Sequence, residues 1–197
     1  MRENKLLNVN THGRGRTATE EVLRLYIVHD YLLGAGAFGR VYLAESKMNK
    51  SAKYAIKIMP LKRVNDETKA QLREELVVLN KLDHPYVAKY EQAFEDEKYI
   101  YIVMTHITGQ VLFKELEEVG RYSEADAARL FFKILQGLSH IHSVGIVHRD
   151  VKPENIMIDE NSEPIIIDFG LSKDHNDKTS VLTSVVGSKI YMAPEIV

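Results

Sequence analysis

The stretch His148-Arg149-Asp150-Val151-Lys152-Pro153-Glu154-Asn155, with Asp168-Phe169-Gly170 further along, gathers residue types that phosphoryl transfer requires. Such a transfer needs a carboxylate to receive a hydroxyl proton, a cation to steady the migrating phosphate, and oxygen ligands for magnesium. Asp150, Lys152, Asn155 and Asp168 supply those types within one short segment. A polar loop of no chemical use would rarely carry all of them at these offsets.

A second segment suits a nucleotide. Leu33-Gly34-Ala35-Gly36-Ala37-Phe38-Gly39-Arg40-Val41 contains GxGxxG. Alone this motif is weak, because dinucleotide-binding folds and plain glycine-rich hairpins use it too. A dinucleotide-binding loop must open a helix. Here the glycines run into Val41-Tyr42-Leu43, a strand pattern. A glycine loop between two strands can present backbone N–H groups to phosphates. Lys57 ends the apolar alternation Tyr54-Ala55-Ile56, on the strand expected next.

The elements that must hold these residues follow from periodicity. Residues 1–23 are polar and are expected to form a flexible tail. Leu25 to Met59 alternates and is rich in branched and aromatic residues, as strands are. Asp66 to Leu82 is expected to be a helix, with Leu72, Leu76, Leu79 and Leu82 at three- and four-residue steps. Two strands are expected near Ala88 to Phe94 and Tyr99 to Thr105. Ser123, followed by Glu124, Ala125 and Asp126, makes a variant capping box. Behind it Leu130, Ile134, Leu138 and Ile141 mark an apolar stripe, widened by Phe131 and Leu135. Gly145 fits the position just past that helix. His140 and His142, on its last turn, read as packing or helix-dipole residues.

Bulk properties set limits. The chain has 197 residues, 45% of them hydrophobic, and a formal net charge of -2. That balance argues against a nucleic-acid partner, whose phosphates demand a strongly basic face. The sequence holds no cysteine, which excludes disulfides and thiolate metal sites. Its longest apolar runs, such as Ile165 to Ile167, are far too short to cross a bilayer. No apolar signal core stands at the N-terminus, and Arg2 occupies the position where N-myristoylation needs glycine. No membrane partner is therefore expected, and a cytoplasmic location is.

Together these motifs resemble a eukaryotic-type protein kinase over about residues 24 to 197. Lys152 within Asp-Val-Lys-Pro-Glu-Asn resembles the serine/threonine class. Leu82-Asp83-His84-Pro85-Tyr86-Val87 and Phe94-Glu95-Asp96-Glu97 resemble the calcium/calmodulin-dependent and calcium-dependent kinases. The resemblance implies an α+β, bilobal fold: an antiparallel sheet with one helix over about 24–105, then a partial, mainly helical lobe over about 106–197. It implies ATP and magnesium as cofactors, a protein substrate bearing Ser or Thr, and an upstream kinase acting on the activation segment.

The resemblance also assigns roles. Asp150 would orient the substrate hydroxyl and accept its proton, and Lys152 would neutralise charge on the γ-phosphate. Asn155 and Asp168 would hold magnesium. Lys57, paired with Glu75 rather than the adjacent Glu74, would meet the α- and β-phosphates. Leu33, Gly34, Gly36 and Gly39 would close over the nucleotide. Val41, Ala55 and Met157 would sandwich the adenine. Met104 would be the gatekeeper, with Thr105 to Ile107 as the hinge. Leu79, Tyr90, His148 and Phe169 would stack into a spine. Arg149 would grip a phosphate on the segment from Asp168 to Glu195, with Ser184 as a candidate phosphosite. Ser188 stands where a threonine usually bonds the catalytic Asp and Lys.

Two departures modify the expectation. Val111 stands where similar kinases carry an acid that touches the ribose and often a basic substrate residue, although Glu154 remains. The sequence stops at Ala193-Pro194-Glu195-Ile196-Val197, so a fragment of a longer kinase is expected, with the helix from Ser123 to Ser143 keeping exposed surface. No D-x-D-x-D-G calcium loop occurs. The rival expectation is a nucleotide-binding module that resembles a kinase but does not turn over.

Overall fold

The computed structural model describes residues 17–36, 39–63, 69, 73, 76, 79–168, 173, 174 and 188–194. They fall into two compact units. The first comprises Met1–Asn80 and Lys89–His106, the second Lys81–Ala88 and Ile107–Val197.

The first unit is built on a five-stranded antiparallel sheet. Its strands are β1 (Tyr26–Gly36), β2 (Gly39–Ser46), β3 (Lys53–Pro60), β4 (Tyr90–Glu95) and β5 (Tyr99–Thr105). They lie in the order β1-β2-β3-β5-β4. Side chains alternate between the faces of a strand, and directly opposed residues share a face. Val41 pairs with Lys57 and Leu43 with Ala55. Lys57 pairs in turn with Ile102, and Ala55 with Met104. These six residues therefore share one face of the sheet. Ala44, Ile56 and Val103 take the opposite face, buried with Phe94 and Tyr101.

A helix closes that opposite face. Helix α1 (Ala18–Leu25) contributes Ala18 and Val22 to the core there, 5% and 1% exposed. The flexible tail expected over residues 1–23 is thus corrected for its last part. A reciprocal capping box starts the helix: Glu20 N–H donates to Thr17 Oγ1 at 3.2 Å and Thr17 N–H to Glu20 Oε2 at 2.8 Å. Ala18 N–H donates to Asp96 Oδ2 at 2.9 Å, and the hydroxyls of Thr19 and Tyr101 meet at 2.7 Å. Capping plus two apolar side chains at helical spacing outweigh a polar composition. Residues 1–16 lie outside the described part.

Of the helix expected over Asp66 to Leu82, Lys69, Arg73, Leu76 and Leu79 are helical, and both leucines are buried.

The second unit holds α2 (Leu112–Val119) and α3 (Glu124–Ser143), a three-stranded antiparallel sheet and a short two-stranded one. The larger sheet orders β6 (Gly109–Val111), β8 (Ile156–Asp159) and β9 (Pro164–Ile166). The smaller joins β7 (Ile146–Val147) to β10 (Lys173–Asp174). Ser123 caps α3 by accepting from Asp126 N–H at 3.1 Å, and Gly145 follows its end with φ 81°, as expected. Ile134, Gly137 and Ile141 form the buried stripe of α3. A side chain on Gly137 would meet Ile166 Cδ1 and the Tyr86 carbonyl at 3.0 Å, so a bare glycine lets α3 approach β9 and the loop beside it. Phe131 and Leu135, expected to widen the stripe, are instead 60% and 46% exposed, with Phe132 at 63%.

The loop Lys81–Ala88 is tied to that strand. Ile166 N–H donates to the Tyr86 carbonyl, and Ala88 N–H to the Ile166 carbonyl, both at 2.9 Å. The rings of His84 and His140 stack at 5.2 Å, and His140 Nε2 accepts from Asp83 N–H at 3.2 Å. His140 is a packing residue, as the sequence led us to expect.

Candidate active site

In the first unit the sheet register gathers the nucleotide-type residues. The β1/β2 hairpin keeps Gly34 opposite Val41 and Gly36 opposite Gly39. The glycines thus run from strand to strand, unlike a dinucleotide-binding loop, which opens a helix. The glycines differ in what they do. A Cβ on Gly39 would come within 2.3 Å of the Ile58 carbonyl oxygen, so this glycine serves the close approach of β2 to β3. A Cβ on Gly34 would meet nothing within 4 Å. Of these two glycines, Gly34 is the one that keeps open space above the strand.

Lys57 is half-buried on the same face as Val41 and Ala55. Glu75, its expected partner, lies outside the described residues, as do Phe169 and Ser184. The hinge backbone is partly committed: Thr105 N–H donates to the Lys89 carbonyl at 3.0 Å, and His106 N–H to the Lys53 carbonyl at 3.2 Å.

In the second unit the catalytic-type residues form one hydrogen-bonded cluster. The chain leaves β7 through His148 and Arg149, and Arg149 takes φ 65°. A non-glycine residue in that left-handed region costs energy and persists where surrounding structure imposes it. Asp168, at φ 58°, is a second such residue. Between them lies the buried imidazole of His148, 1% exposed. Its Nδ1 accepts from Asp150 N–H at 3.3 Å, and its Nε2 lies 3.0 Å from the Ile167 carbonyl. That pair of contacts requires the neutral ring with the proton on Nε2. Burial also lowers the pKa of His148, which favours the neutral form. The ring thus links the segment before Asp150 to the segment before Asp168.

Pro153 opens the short 3-10 turn Pro153–Asn155, where a missing N–H costs little. The turn buries Asn155, whose amide nitrogen donates to the Asp150 carbonyl at 2.8 Å and to Asp150 Oδ2 at 3.0 Å. Two acceptors on one atom identify it as the NH2, so Oδ1 is the remaining donor atom for a cation. Lys152 Nζ stands 2.9 Å from Asp150 Oδ2 and donates to Ser188 Oγ at 2.6 Å. Ser188 N–H donates to Asp150 Oδ1 at 2.9 Å. The serine makes the bonds expected of a threonine there.

Burial alone would raise the pKa of Asp150. The bonds from Lys152 and Ser188 outweigh it and hold the carboxyl below the ordinary range. Asp150 is ionised at neutral pH and fixed by three neighbours, a suitable state for a group that receives a proton.

The remaining residues sit as follows. Met157 lies on β8 opposite Val111 of β6. Val111 is the N-cap of α2 and makes no side-chain capping bond. Glu154 Oε1 accepts from the Tyr191 hydroxyl at 3.4 Å, and its other oxygen is buried without a partner. Among the described residues no group of three or more His, Asp or Glu gathers to hold a metal. Asn155 and Asp168 offer hard oxygen donors, which suits a magnesium ion that draws other ligands from phosphates. Among the described residues no helix is long and apolar enough to cross a membrane. One feature the sequence did not reveal is a paired charge: Arg73 and Glu95 form a forked ion pair.

Comparison with known proteins agrees with this geometry. The protein kinase domain model matches residues 27–197, and the chain belongs to that family. It is 38% identical over 174 residues to a calcium/calmodulin-dependent protein kinase type 1 of Macrobrachium nipponense, covering 87% of this chain and 49% of the relative. It is 38% identical over 179 residues to myosin light chain kinase A of Dictyostelium discoideum, covering 89% of this chain and 60% of the relative. To calcium-dependent protein kinase 5 of Plasmodium berghei it is 38% identical over 181 residues, covering 90% and 31%. The chain spans about half the length of the first of these. The expected resemblance to the calcium/calmodulin-dependent and calcium-dependent kinases is met by these relatives.

Proposed function

We propose that this chain carries the nucleotide site and catalytic loop of a serine/threonine protein kinase. The reading rests on one observation above all: Asp150 held at once by Lys152, Asn155 and Ser188. In this reading Asp150 orients a Ser or Thr hydroxyl and receives its proton as the γ-phosphoryl group moves to the oxygen. Its lowered pKa makes it a weak base, which fits a loose transition state where the proton leaves late. Lys152 offsets charge on the transferred group, and its bond to Ser188 aims the ammonium.

Proteins of this family use ATP and typically magnesium. Asn155 Oδ1 and the Asp168 carboxylate are the groups that would hold the metal, and its chemistry is to neutralise phosphate charge. Lys57, with Glu75, would meet the α- and β-phosphates. Leu33, Gly34, Gly36 and Gly39 would cover the nucleotide, with Val41, Ala55 and Met157 about the adenine and Met104 beside it. Backbone groups of the hinge, Thr105 to Ile107, would meet the adenine edge, the N–H groups of Thr105 and His106 being already bonded elsewhere. Glu154 is the acid left to meet a basic substrate residue. An upstream kinase acting on the segment that holds Ser184 belongs to the same reading.

The test is thermal unfolding of the 197-residue chain with and without Mg-ATP, paired with transfer of labelled phosphate to a Ser-containing peptide. A magnesium-dependent rise in Tm that disappears in Asp168→Ala, with transfer abolished in Asp150→Asn, is the expected result. Stabilisation without transfer would favour the non-catalytic nucleotide-binding module.

A further inference from the structure

The loop Lys81–Ala88 belongs to the second unit, although Asn80 and Lys89 on either side of it belong to the first. Two histidines fasten it there. The ring of His84 stacks on the ring of His140 on α3, with centroids 5.2 Å and planes 20° apart. His140 Nε2 accepts from Asp83 N–H, and His84 Nδ1 accepts from Tyr86 N–H, both at 3.2 Å. A ring nitrogen accepts only when it carries no proton. His140 therefore keeps its proton on Nδ1 and His84 on Nε2, and both rings are neutral in this arrangement.

A further proton on either ring sets donor against donor. At His140 Nε2 it would face the Asp83 N–H, and at His84 Nδ1 the Tyr86 N–H. Two charged rings at stacking distance would also repel. The neighbouring groups do little to welcome a charge. On the loop, Lys81 and Asp83 are exposed. On α3, His142 is exposed, and Lys133 lies over the Tyr86 ring and 2.6 Å from Glu163. The Tyr86 ring meets His84 edge-on at 5.4 Å. Of the two acids, Glu163 is committed to Lys133, and water screens the attraction of Asp83 for a charged ring. Burial, and then the facing His140 ring, lower the pKa of His84. Its share of stability is thus complete above the ordinary value of about 6.5 and lost as pH falls through the folded value.

What the loop touches gives the two rings a consequence. Ile166 N–H donates to the Tyr86 carbonyl and Ala88 N–H to the Ile166 carbonyl, both at 2.9 Å, and Val87 bridges Ile166. Asp168 stands two residues past Ile166, in its left-handed conformation of φ 58°. Such a conformation persists because the surrounding structure imposes it. The loop is part of that surrounding structure.

We propose that His84 and His140 form a proton-sensitive clasp: while neutral they fasten loop 81–88 to α3 and so steady β9 and Asp168, and a proton on either ring releases the loop. Acidification then weakens the hold of Asp168 on Mg-ATP, a last step that rests on the kinase reading above.

The experiment compares the 197-residue chain with its His84→Asn/His140→Gln variant. Asn and Gln can offer an acceptor oxygen in place of Nδ1 and Nε2, and neither titrates. Amide hydrogen exchange at Asp83, Tyr86 and Ile166, corrected for the intrinsic effect of pH, is read between about pH 7.5 and about pH 5.5. The Kd for Mg-ATP is read over the same range. Wild-type protection should fall about fivefold or more on acidification, the effect of one lost hydrogen bond. The variant, which shares every other titrating group, should keep its protection, and its Kd should rise less than that of wild type. Equal loss of protection in the two chains overturns the clasp. A Kd that moves alike in both, with protection differing, overturns the link to Asp168. Should the variant not fold, NMR titration of the wild-type rings decides: coupled curves in two steps, followed by the Asp83 and Tyr86 amides, support the clasp, and two independent single-step curves overturn it. Absence of Mg-ATP binding at every pH overturns the kinase reading instead, and the exchange data alone then decide the clasp.

Discussion

The two units place their candidate functional residues by different physical means. In the first, Val41, Ala55, Lys57 and Met104 are brought to one face by strand register alone. No side-chain bond is needed, because backbone ladders and period-two alternation determine which way each residue faces. In the second, the proposed catalytic groups sit on irregular backbone between short elements. Arg149 and Asp168 take left-handed conformations, and side chains do the fixing: His148, Asn155, Lys152 and Ser188 each hold Asp150 or its neighbours. A regular ladder tolerates many side chains and few backbone insults. A bonded loop should behave the other way round.

Substitution at the loop is the strongest test of that contrast. Asp150→Asn keeps the shape of the side chain and removes the proton acceptor. Phosphotransfer should fall by about 10²- to 10⁴-fold, as for other general bases, with little change in Tm. A large loss of Tm would show that the loop carries stability as the sheet does.

The matching test in the sheet exchanges one hydrogen for a methyl. Gly39→Ala pushes a Cβ into the Ile58 carbonyl, and displacing backbone should cost about 1–3 kcal/mol in chemical denaturation. Gly34→Ala meets open space and should stay within about 0.5 kcal/mol of wild type. Equal costs at the two glycines would mean that register does not govern this unit.

A smaller effect separates the bonds that hold Asp150. Its folded pKa lies below the unfolded one, so its share of stability is present above the unfolded value and lost as pH falls through the folded value. The acid limb of kcat should follow that same lowered value. Ser188→Ala removes the hydroxyl but keeps the N–H that donates to Asp150 Oδ1. The acid limb should then move up, toward the ordinary carboxylate range. A limb that stays in place would assign the lowering to Lys152 and the Ser188 N–H rather than to the hydroxyl.

The same contrast explains what the sequence made legible. Strands β1 to β5 were readable because alternation of Tyr42, Leu43, Ala55 and Ile56 is a local signal. The hydrogen-bonded cluster of the second unit was readable as a motif, since short-range spacing in His148–Asn155 mirrors short-range bonds. Helix α1 was not read. Thr17 and Glu20 carry a capping signal, but few apolar residues precede Val22 and the polar surroundings outweighed it. On α3, Phe131 and Leu135 continue the apolar pattern yet stay exposed, which meets the expectation that this helix keeps exposed surface. The Arg73–Glu95 pair was invisible because long-range pairing of charges leaves no periodicity.

Val111 joins the two themes, and it gives the smallest effect. It ends β6 as a ladder residue opposite Met157 and begins α2 as an N-cap. Backbone geometry satisfies the first role, and valine fails the second because it has no acceptor for the first-turn N–H groups. Its φ of -70° and ψ of 142° already suit a capping residue. Val111→Asp should therefore stabilise the chain by about 1 kcal/mol through capping and helix-dipole attraction, read as a higher denaturation midpoint with unchanged slope. The new carboxylate also restores the acid that similar kinases place at the ribose, so ATP affinity should rise by a few-fold. Because ΔΔG from a cap does not require nucleotide, the two gains are separable: stability without ATP reports the cap, and the further rise with Mg-ATP reports the ribose contact. A stabilised chain with unchanged ATP affinity would place Val111 on the structural side of the comparison, with the sheet rather than the loop.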